Sequence, residues 1–330
     1  MVEMAIEYGA VLVSVFLLSA LILRYLIPVL KSKKVGQKIL EIGPRWHKSK
    51  EGTPTMGGAG FIFAILITVA VLSVVSLIRG NSTELMPLAF TLGLATVNGL
   101  IGFVDDRCKL LKKANEGLKA YQKFLLQVIA AAAYLFAMSA IGNIDTMLRI
   151  PFTDIHLELG IFYYLFAMFL IVGMVNGVNL TDGLDGLASG VTAVVGIFFG
   201  VCAFTSEFRS LAIASAVTVG ATLGFLVYNF YPARVFMGDT GSLFLGGMVV
   251  GCAFMMNEPL VIVFCGIIYI FETLSVMIQV GVYKLTHKRV FKMAPVHHHF
   301  EKCGWSERKV FTVFSMITAL GCVLAWFSIC

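Results

Sequence analysis

The sequence is short of charge. Only 13% of its 330 residues are Asp, Glu, Lys or Arg, while 58% are hydrophobic. A soluble domain carries about twice that charged fraction. The charge is also clustered, leaving long runs with none, which excludes an ordinary soluble enzyme and points to a polytopic membrane protein. Residues 1–8 hold Glu3 and Glu7 but no basic residue. A cleavable signal peptide wants a positive start, so the first apolar run reads as a retained span. The seven cysteines are scattered with no CxxC pair, so neither a disulfide framework nor a zinc site is indicated. No GxxxxGK[ST] or GxGxxG is present, which removes the P-loop and Rossmann routes to a nucleotide. There is no internal repeat and no low-complexity linker, so residues 1–330 read as a single membrane domain.

What is present is a series of apolar runs, each long enough for the roughly 20 residues a bilayer-crossing helix needs. Ten are expected, near 9–30, 57–79, 85–104, 120–142, 159–178, 187–205, 210–230, 241–256, 259–283 and 309–329. The fold class is therefore an all-α integral membrane protein with about ten transmembrane helices, because backbone polar groups in lipid must be satisfied within the segment. Barrel strands would alternate apolar and polar residues, and these runs do not. Alternating the loops across the membrane puts 21 of the 25 Lys and Arg on one side. The positive-inside rule makes that side cytoplasmic and both termini extracytoplasmic. The outward segment 142–158, with weak alternation around Pro151, suggests a small extracytoplasmic hairpin.

Five of the seven aspartates fall at the basic-side ends of spans, in three separate loops: Asp105 and Asp106 in IGFVDDRCKL, Asp182 and Asp185 in NLTDGLDG, and Asp239 in FMGDTGS. Any one of these is ordinary capping or a solvated boundary. Together they repel one another unless a cation joins them. Mg2+ is the natural one, since it prefers oxygen ligands and is held by one or two carboxylates plus substrate phosphates. Asp182 and Asp185, three apart, are expected on one face of a helical turn, with Asn179 a turn earlier. Gly183, Gly186 and Gly238 permit close approach of backbone or ligand. Thr240 or Ser242 is placed to cap the following helix, whose N-terminus attracts an anion.

The basic residues divide. Lys33 and Lys34 read as topology-setting charge, and KLLKK at 109–113 reads as a lipid-headgroup contact. KEGTPTMGG, with Lys48 and Lys50 before or within it, offers a tight turn and the hydroxyls of Thr53 and Thr55. Lys123 sits at the start of a span, where charge is costlier. In PVHHHFEKCGW, three adjacent histidines point in different directions and do not easily ligate one metal. They are structural, or they contact phosphate oxygens, or one of them moves a proton. Glu272, inside a span, is either a functional acid or paired within the bundle. Phe236 is a stacking platform for a planar base or an interfacial anchor.

Jointly IGFVDDRCKL, NLTDGLDGLASG, FMGDTGSLFLGG, PVHHHFEKCGW and KEGTPTMGG resemble the phospho-N-acetylmuramoyl-pentapeptide transferases, of the polyprenyl-phosphate N-acetylhexosamine-1-phosphate transferase superfamily. The resemblance runs from about residue 43 to 305, and the ten-span layout matches it. It implies Mg2+-dependent transfer of phospho-N-acetylmuramoyl-pentapeptide (phospho-MurNAc-pentapeptide) from UDP-MurNAc-pentapeptide to undecaprenyl phosphate. The products are lipid I and UMP, in the first membrane step of peptidoglycan synthesis. It further implies a multi-pass protein of the bacterial cytoplasmic membrane, a cytoplasmic cleft partly open to membrane lipid, a homodimer, and no nucleic-acid partner. By motif, Asp105, Asp106, Asp239 and His298 are the implied catalytic residues, with Asp105 taking the proton of the lipid phosphate. Asp239 is the implied metal ligand, with Asp105 and Asp106 as further candidates. Lys50, Thr55, Asn179, Leu180, Asn229, Phe236, Gly238 and Ser242 are implied to line the nucleotide pocket. Asp182 belongs to the same acidic motif as Asp185, which is expected near the nucleoside. His297, His298 and His299 are implied near the diphosphate, and Lys123 within the cleft. Besides a CDP-alcohol phosphotransferase, whose DG-rich motif lies in one contiguous segment unlike this spread, two rival readings remain. One is a sister enzyme transferring GlcNAc-1-phosphate from UDP-GlcNAc, which would share the aspartates. The other is a secondary transporter, whose acids should lie near the midplane within a repeat.

Overall fold

The computed structural model describes residues 1–33, 50, 52–80, 82–112 and 117–329. Among them ten helices are long and apolar enough to cross a membrane. They are α1 (Val2–Ser32), α2 (Gly58–Ile78), α3 (Met86–Lys112), α4 (Ala120–Ala140), α5 (Ile161–Thr181), α6 (Leu187–Thr205), α7 (Arg209–Asn229), α8 (Gly238–Met255), α10 (Ile267–Thr286) and α12 (Glu307–Ile329). Two short helices, α9 (Ile262–Cys265) and α11 (Val296–Lys302), complete the set. The protein is thus a multi-pass membrane protein, and most expected spans match their helices to within a few residues.

The first helix begins at Val2 rather than near residue 9, and two further spans differ from the sequence reading, each for a local reason. The third was expected to end at 104, but α3 continues to Lys112. Hydropathy marks where lipid-compatible residues stop; the helix itself continues through an Asp105–Lys109 ion pair at i,i+4 spacing, 2.7 Å long. The ninth span, expected as one run over 259–283, is broken. Pro259–Val261 forms a 3-10 turn, α9 follows, and α10 starts only after Gly266. Proline at the start and glycine at the break are the residues that helices tolerate least in their interiors.

The core sits on α8. Of its most apolar stretch, 89% is buried, against 22% for α10, so α8 is central and α10 faces outward. α3 lies along α8 with backbones nearly touching: a Cβ on Gly102 would fall 2.1 Å from the carbonyl oxygen of Asp239. On the other flank a Cβ on Gly58 would fall 2.3 Å from the Cα of Gly241. Without a hydrophobic drive between helices in lipid, small residues that permit this approach hold bundles together by dispersion contacts. The consequence for the site is geometric, because Asp105 and Asp106 are brought alongside the first turn of α8. At the opposite end of the bundle, strands β1 (Met147–Arg149) and β2 (His156–Glu158) form the antiparallel hairpin, with Leu148 facing Leu157. Asn143 ties this end to α8 by donating to the carbonyl of Met255 at 3.2 Å.

Candidate active site

Asp239 stands in the first turn of α8, and neighbouring segments supply that turn's partners. The first N–H groups of a helix lack intrahelical acceptors. Here Asp106, reaching across from α3, accepts from Asp239 N at 3.2 Å, Thr240 N at 3.0 Å and Thr240 Oγ1 at 2.7 Å. Asp106 is therefore the cap of α8, supplied from another helix. Gly238 enters this turn at φ +71°, and a Cβ there would meet Asp106 Oδ2 at 2.5 Å and Thr55 Oγ1 at 2.9 Å. Both conditions favour glycine. The segment before α2 is laid against the same turn, since Phe236 N donates to Pro54 O at 2.8 Å and Gly57 N to Phe236 O at 2.9 Å.

The Asp239 carboxylate faces two lysines. Its Oδ2 accepts from Lys123 at 2.8 Å and Lys109 at 3.1 Å, and its Oδ1 from Asn179 at 3.0 Å. Asn179 also donates to Ser242 Oγ at 2.8 Å, and Ser242 donates to the Gly238 carbonyl. Asp105 lies in contact with Asp239, with Lys109 on its Oδ2 at 2.7 Å and the N–H of Leu118 on its Oδ1 at 2.7 Å. Two carboxylates in contact need a cation or a proton between them. Lys109 was expected to meet lipid headgroups; one helical turn from Asp105, it belongs to this cluster instead.

Asp182 and Asp185 do not share a helical face. α5 ends at Thr181 and Asp182 is its C-cap, so the two acids flank a turn and diverge. Asp182 turns toward the cluster. Burial, then the charges of Asp239, Asp106 and Asp185, push its carboxyl well above the usual range. Asp185 turns away, accepting from Lys50 Nζ at 2.7 Å and from Ala233 N at 2.8 Å. Lys50 also donates to Glu307 Oε2 at 2.6 Å. Burial lowers its pKa, but the bonds and charges of Asp185 and Glu307 outweigh that and raise it. Asn229, expected in the pocket, braces the loops behind it: its Oδ1 accepts from Gly186 N at 3.1 Å and its Nδ2 donates to Val235 O at 2.9 Å.

The three histidines separate on α11, as their positions require. His297 is buried, and Glu272 of α10 meets its Nδ1 at 3.0 Å and its backbone N–H at 3.4 Å. Its Nε2 has no partner among the described residues and points at Gly183, where a Cβ would fall 2.1 Å from it. His298 meets Glu301 at 2.7 Å. His299 turns outward, accepting from Lys292 N at 3.1 Å. Of the trio, His297 is the one aimed at a residue of the pocket wall. Glu272 is thus paired within the bundle, and its partner belongs to the motif.

These groups enclose a pocket of about 230 Å³. Its wall is formed by Asp106, Asp182, Asp239 and Asn179 together with Lys50, Thr55, Phe236, Gly238, Gly183 and Leu184. Leu180, Ser242, Asp185, Lys123 and the histidines lie outside that lining. A larger cavity, about 910 Å³, opens among Glu7, Arg79, Glu84 and Arg209. There Arg209 is engaged by Glu7 at 2.8 and 2.7 Å and by Glu84 at 3.0 Å, which is a clamp between helices. The smaller pocket carries the convergent acids and is the candidate site.

Among the described residues no three His, Cys, Asp or Glu side chains form a group able to hold a metal alone. The donors are nonetheless all hard oxygens, with Asp239 beside Asp105. That set fits a cation held by one or two carboxylates and completed by ligand phosphates. All three neighbouring carboxylates are hydrogen-bonded on both oxygens, Asp239 by Lys109, Lys123 and Asn179, Asp105 by Lys109 and Leu118 N, and Asp106 by the first turn of α8, so a cation would displace some of these bonds.

Sequence reasoning missed Lys109 and Glu307. Lys109 had a signal, its i,i+4 spacing from Asp105. Glu307 had none, because its partners are 122 and 257 positions away. Lys34, Lys48 and Lys113 lie outside the described residues.

The sequence model of the family described as glycosyl transferase family 4 matches residues 88–257. A phospho-N-acetylmuramoyl-pentapeptide-transferase of Clostridioides difficile (strain 630) is 49% identical, covering 95% of this chain and 94% of the relative. That of Clostridium perfringens (strain 13 / Type A) is 46% identical over 95% and 96%. That of Staphylococcus aureus (strain bovine RF122 / ET3-1) is 45% identical over 92% and 95%.

Proposed function

The chain belongs to the phospho-N-acetylmuramoyl-pentapeptide-transferase family within glycosyl transferase family 4, and from that premise we propose how it works. It is an enzyme, a phosphotransferase of peptidoglycan synthesis. We read residues 1–330 as one catalytic membrane domain of the bacterial cytoplasmic membrane. The donor is UDP-MurNAc-pentapeptide, the acceptor undecaprenyl phosphate, and the products are lipid I and UMP. The basic-side loops and the pocket face the cytoplasm, both termini face out, and the working form is a homodimer. The observation that carries this reading is the cluster at the start of α8, where Asp239 meets Lys109, Lys123 and Asp105 at the wall of a pocket.

Transfer between two anions is limited by charge repulsion, so the catalyst must place positive charge around the phosphates. Lys109 and Lys123 supply two such charges. Bound Mg2+, held by Asp239 with Asp105 alongside, would neutralise the diphosphate and stabilise the departing UMP oxygens. Asp105 takes the remaining proton of the lipid phosphate, which then attacks the donor phosphorus directly. His297 presents Nε2 beside Gly183 to an oxygen of the donor, its orientation fixed by Glu272. Phe236 offers a face to the base, and the Lys50–Asp185 pair offers polar edges to it. The exposed apolar faces of the outer helices suit the lipid tail.

The test is UMP release by purified protein in detergent, with UDP-MurNAc-pentapeptide and undecaprenyl phosphate, beside UDP-GlcNAc as donor. Release with the muramoyl donor alone is expected, abolished by chelation, restored by Mg2+, and lost in Asp239→Ala. Release with UDP-GlcNAc instead would move the chain's substrate to the sister enzyme's. Phospho-enzyme trapped before lipid is added would refute direct attack.

A further inference from the structure

We infer that Glu307 is a positioning residue for donor binding, acting through Lys50 and the turn after α5; the inference rests on the transfer reaction proposed above. Glu307 opens α12, yet its carboxylate is directed away from its own helix. Its Oε2 accepts from Lys50 Nζ at 2.6 Å and from the backbone N–H of Asp185 at 3.2 Å. One oxygen thereby joins three segments that are distant in sequence. The helix does not need this carboxylate as its cap, because Ser306 Oγ accepts from Lys309 N at 3.3 Å. Glu307 is only 8% exposed and lies outside the pocket lining, with its Oε2 taken up by Lys50 and the Asp185 N–H. Lys50 and Gly183–Leu184 do line it, and Glu307 holds Lys50 directly and the turn next to Leu184 through the Asp185 N–H.

The remaining contacts show what Glu307 adds. Lys50 has one other acceptor among the described residues, Asp185 Oδ1 at 2.7 Å, and Asp185 is held on its far oxygen by Ala233 N at 2.8 Å. Without Glu307 the ammonium swings about a single carboxylate and the turn loses the anchor on its N–H. A lysine side chain is rich in rotamers, so freedom left in the unbound state must be lost on binding and weakens affinity. Lys109, Lys123 and Asp239, which meet the reacting phosphates, make no contact with Glu307 among the described residues. The loss therefore falls on donor binding and spares the chemical step.

Glu307→Ala is expected to raise KM for UDP-MurNAc-pentapeptide about tenfold. It should leave kcat and KM for undecaprenyl phosphate within about twofold. Glu307→Gln keeps an acceptor oxygen and should recover part of the loss. On a Lys50→Ala background, Glu307→Ala should add little. Titration of UMP into wild type and Glu307→Gln gives the same comparison without turnover, so failure of the reaction reading is seen separately, as UMP binding without UMP release. A folded Glu307→Ala with unchanged donor KM overturns the inference. So does a Tm decrease in either variant with no change in donor KM or UMP affinity, since that is the signature of a brace for α12 alone. A full effect persisting on the Lys50→Ala background also overturns it, as does a wild type that binds no UMP.

Discussion

At the residue scale the decisive fact is how many charges share one carboxylate oxygen. Lys109 and Lys123 both reach Asp239 Oδ2, and Lys109 also reaches Asp105. Removing Lys109 leaves the two neighbouring carboxylates with a single lysine, Lys123, which reaches Asp239. Breaking one partner of a buried charge cluster costs about 3–5 kcal/mol, discounted here because the lysine is 21% exposed. Lys109→Met should therefore lower the thermal midpoint and reduce turnover at least about tenfold; wild-type activity at normal stability would remove Lys109 from the cluster. Gly183→Ala tests the histidine. The added methyl would sit 2.1 Å from His297 Nε2 and 2.6 Å from Cε1, so the ring must leave its seat against Glu272. Turnover should fall about tenfold or more, with UMP still bound. Unchanged kcat would mean that His297 does not work at this wall.

At the element scale, the first turn of α8 is capped by a side chain from α3. Thr240→Val removes the hydroxyl that meets Asp106 at 2.7 Å while keeping the side chain's shape. The loss should be about 1 kcal/mol of stability, read as a lower thermal midpoint in detergent, with donor KM little changed. An unaltered midpoint would show that the two backbone bonds suffice. This contact also explains what the sequence did and did not disclose. The ten apolar runs were legible because lipid imposes length and hydropathy on each one separately. The five aspartates were legible because they gather at span ends assigned to one side, from three loops with distinctive motifs. The end of α3 was not, since Asp105 and Lys109 extend the helix beyond the apolar run. Nor was the divergence of Asp182 and Asp185, which depends on α5 stopping at Thr181. The partners of Glu272 and Glu307 were hidden for a third reason: they are set by packing between helices far apart in the chain.

For the whole molecule, the distribution of charge and the depth of the site agree. The acids lie in the last turns of α3, just past α5 and in the first turn of α8, and the proposed topology assigns 21 of the 25 Lys and Arg to that same side. The proposed orientation has a direct check. Alkaline phosphatase fused after residue 329 should be active, since that enzyme folds only outside the cytoplasm, and a fusion within 284–295 should be inactive. The reverse pattern would invert the topology and place the pocket on the wrong side for a cytoplasmic donor.

The cap that Asp106 lends to α8 changes how loss-of-function screens in this protein should be interpreted. Asp106 neighbours Asp105 in the sequence and lines the pocket, so an inactive variant there invites assignment as a proton carrier. Yet its oxygens are what seat the turn that presents Asp239. An inactive Asp106→Asn is thus an assembly phenotype, diagnosed by a lower thermal midpoint, whereas a fault confined to proton transfer should leave the midpoint unchanged.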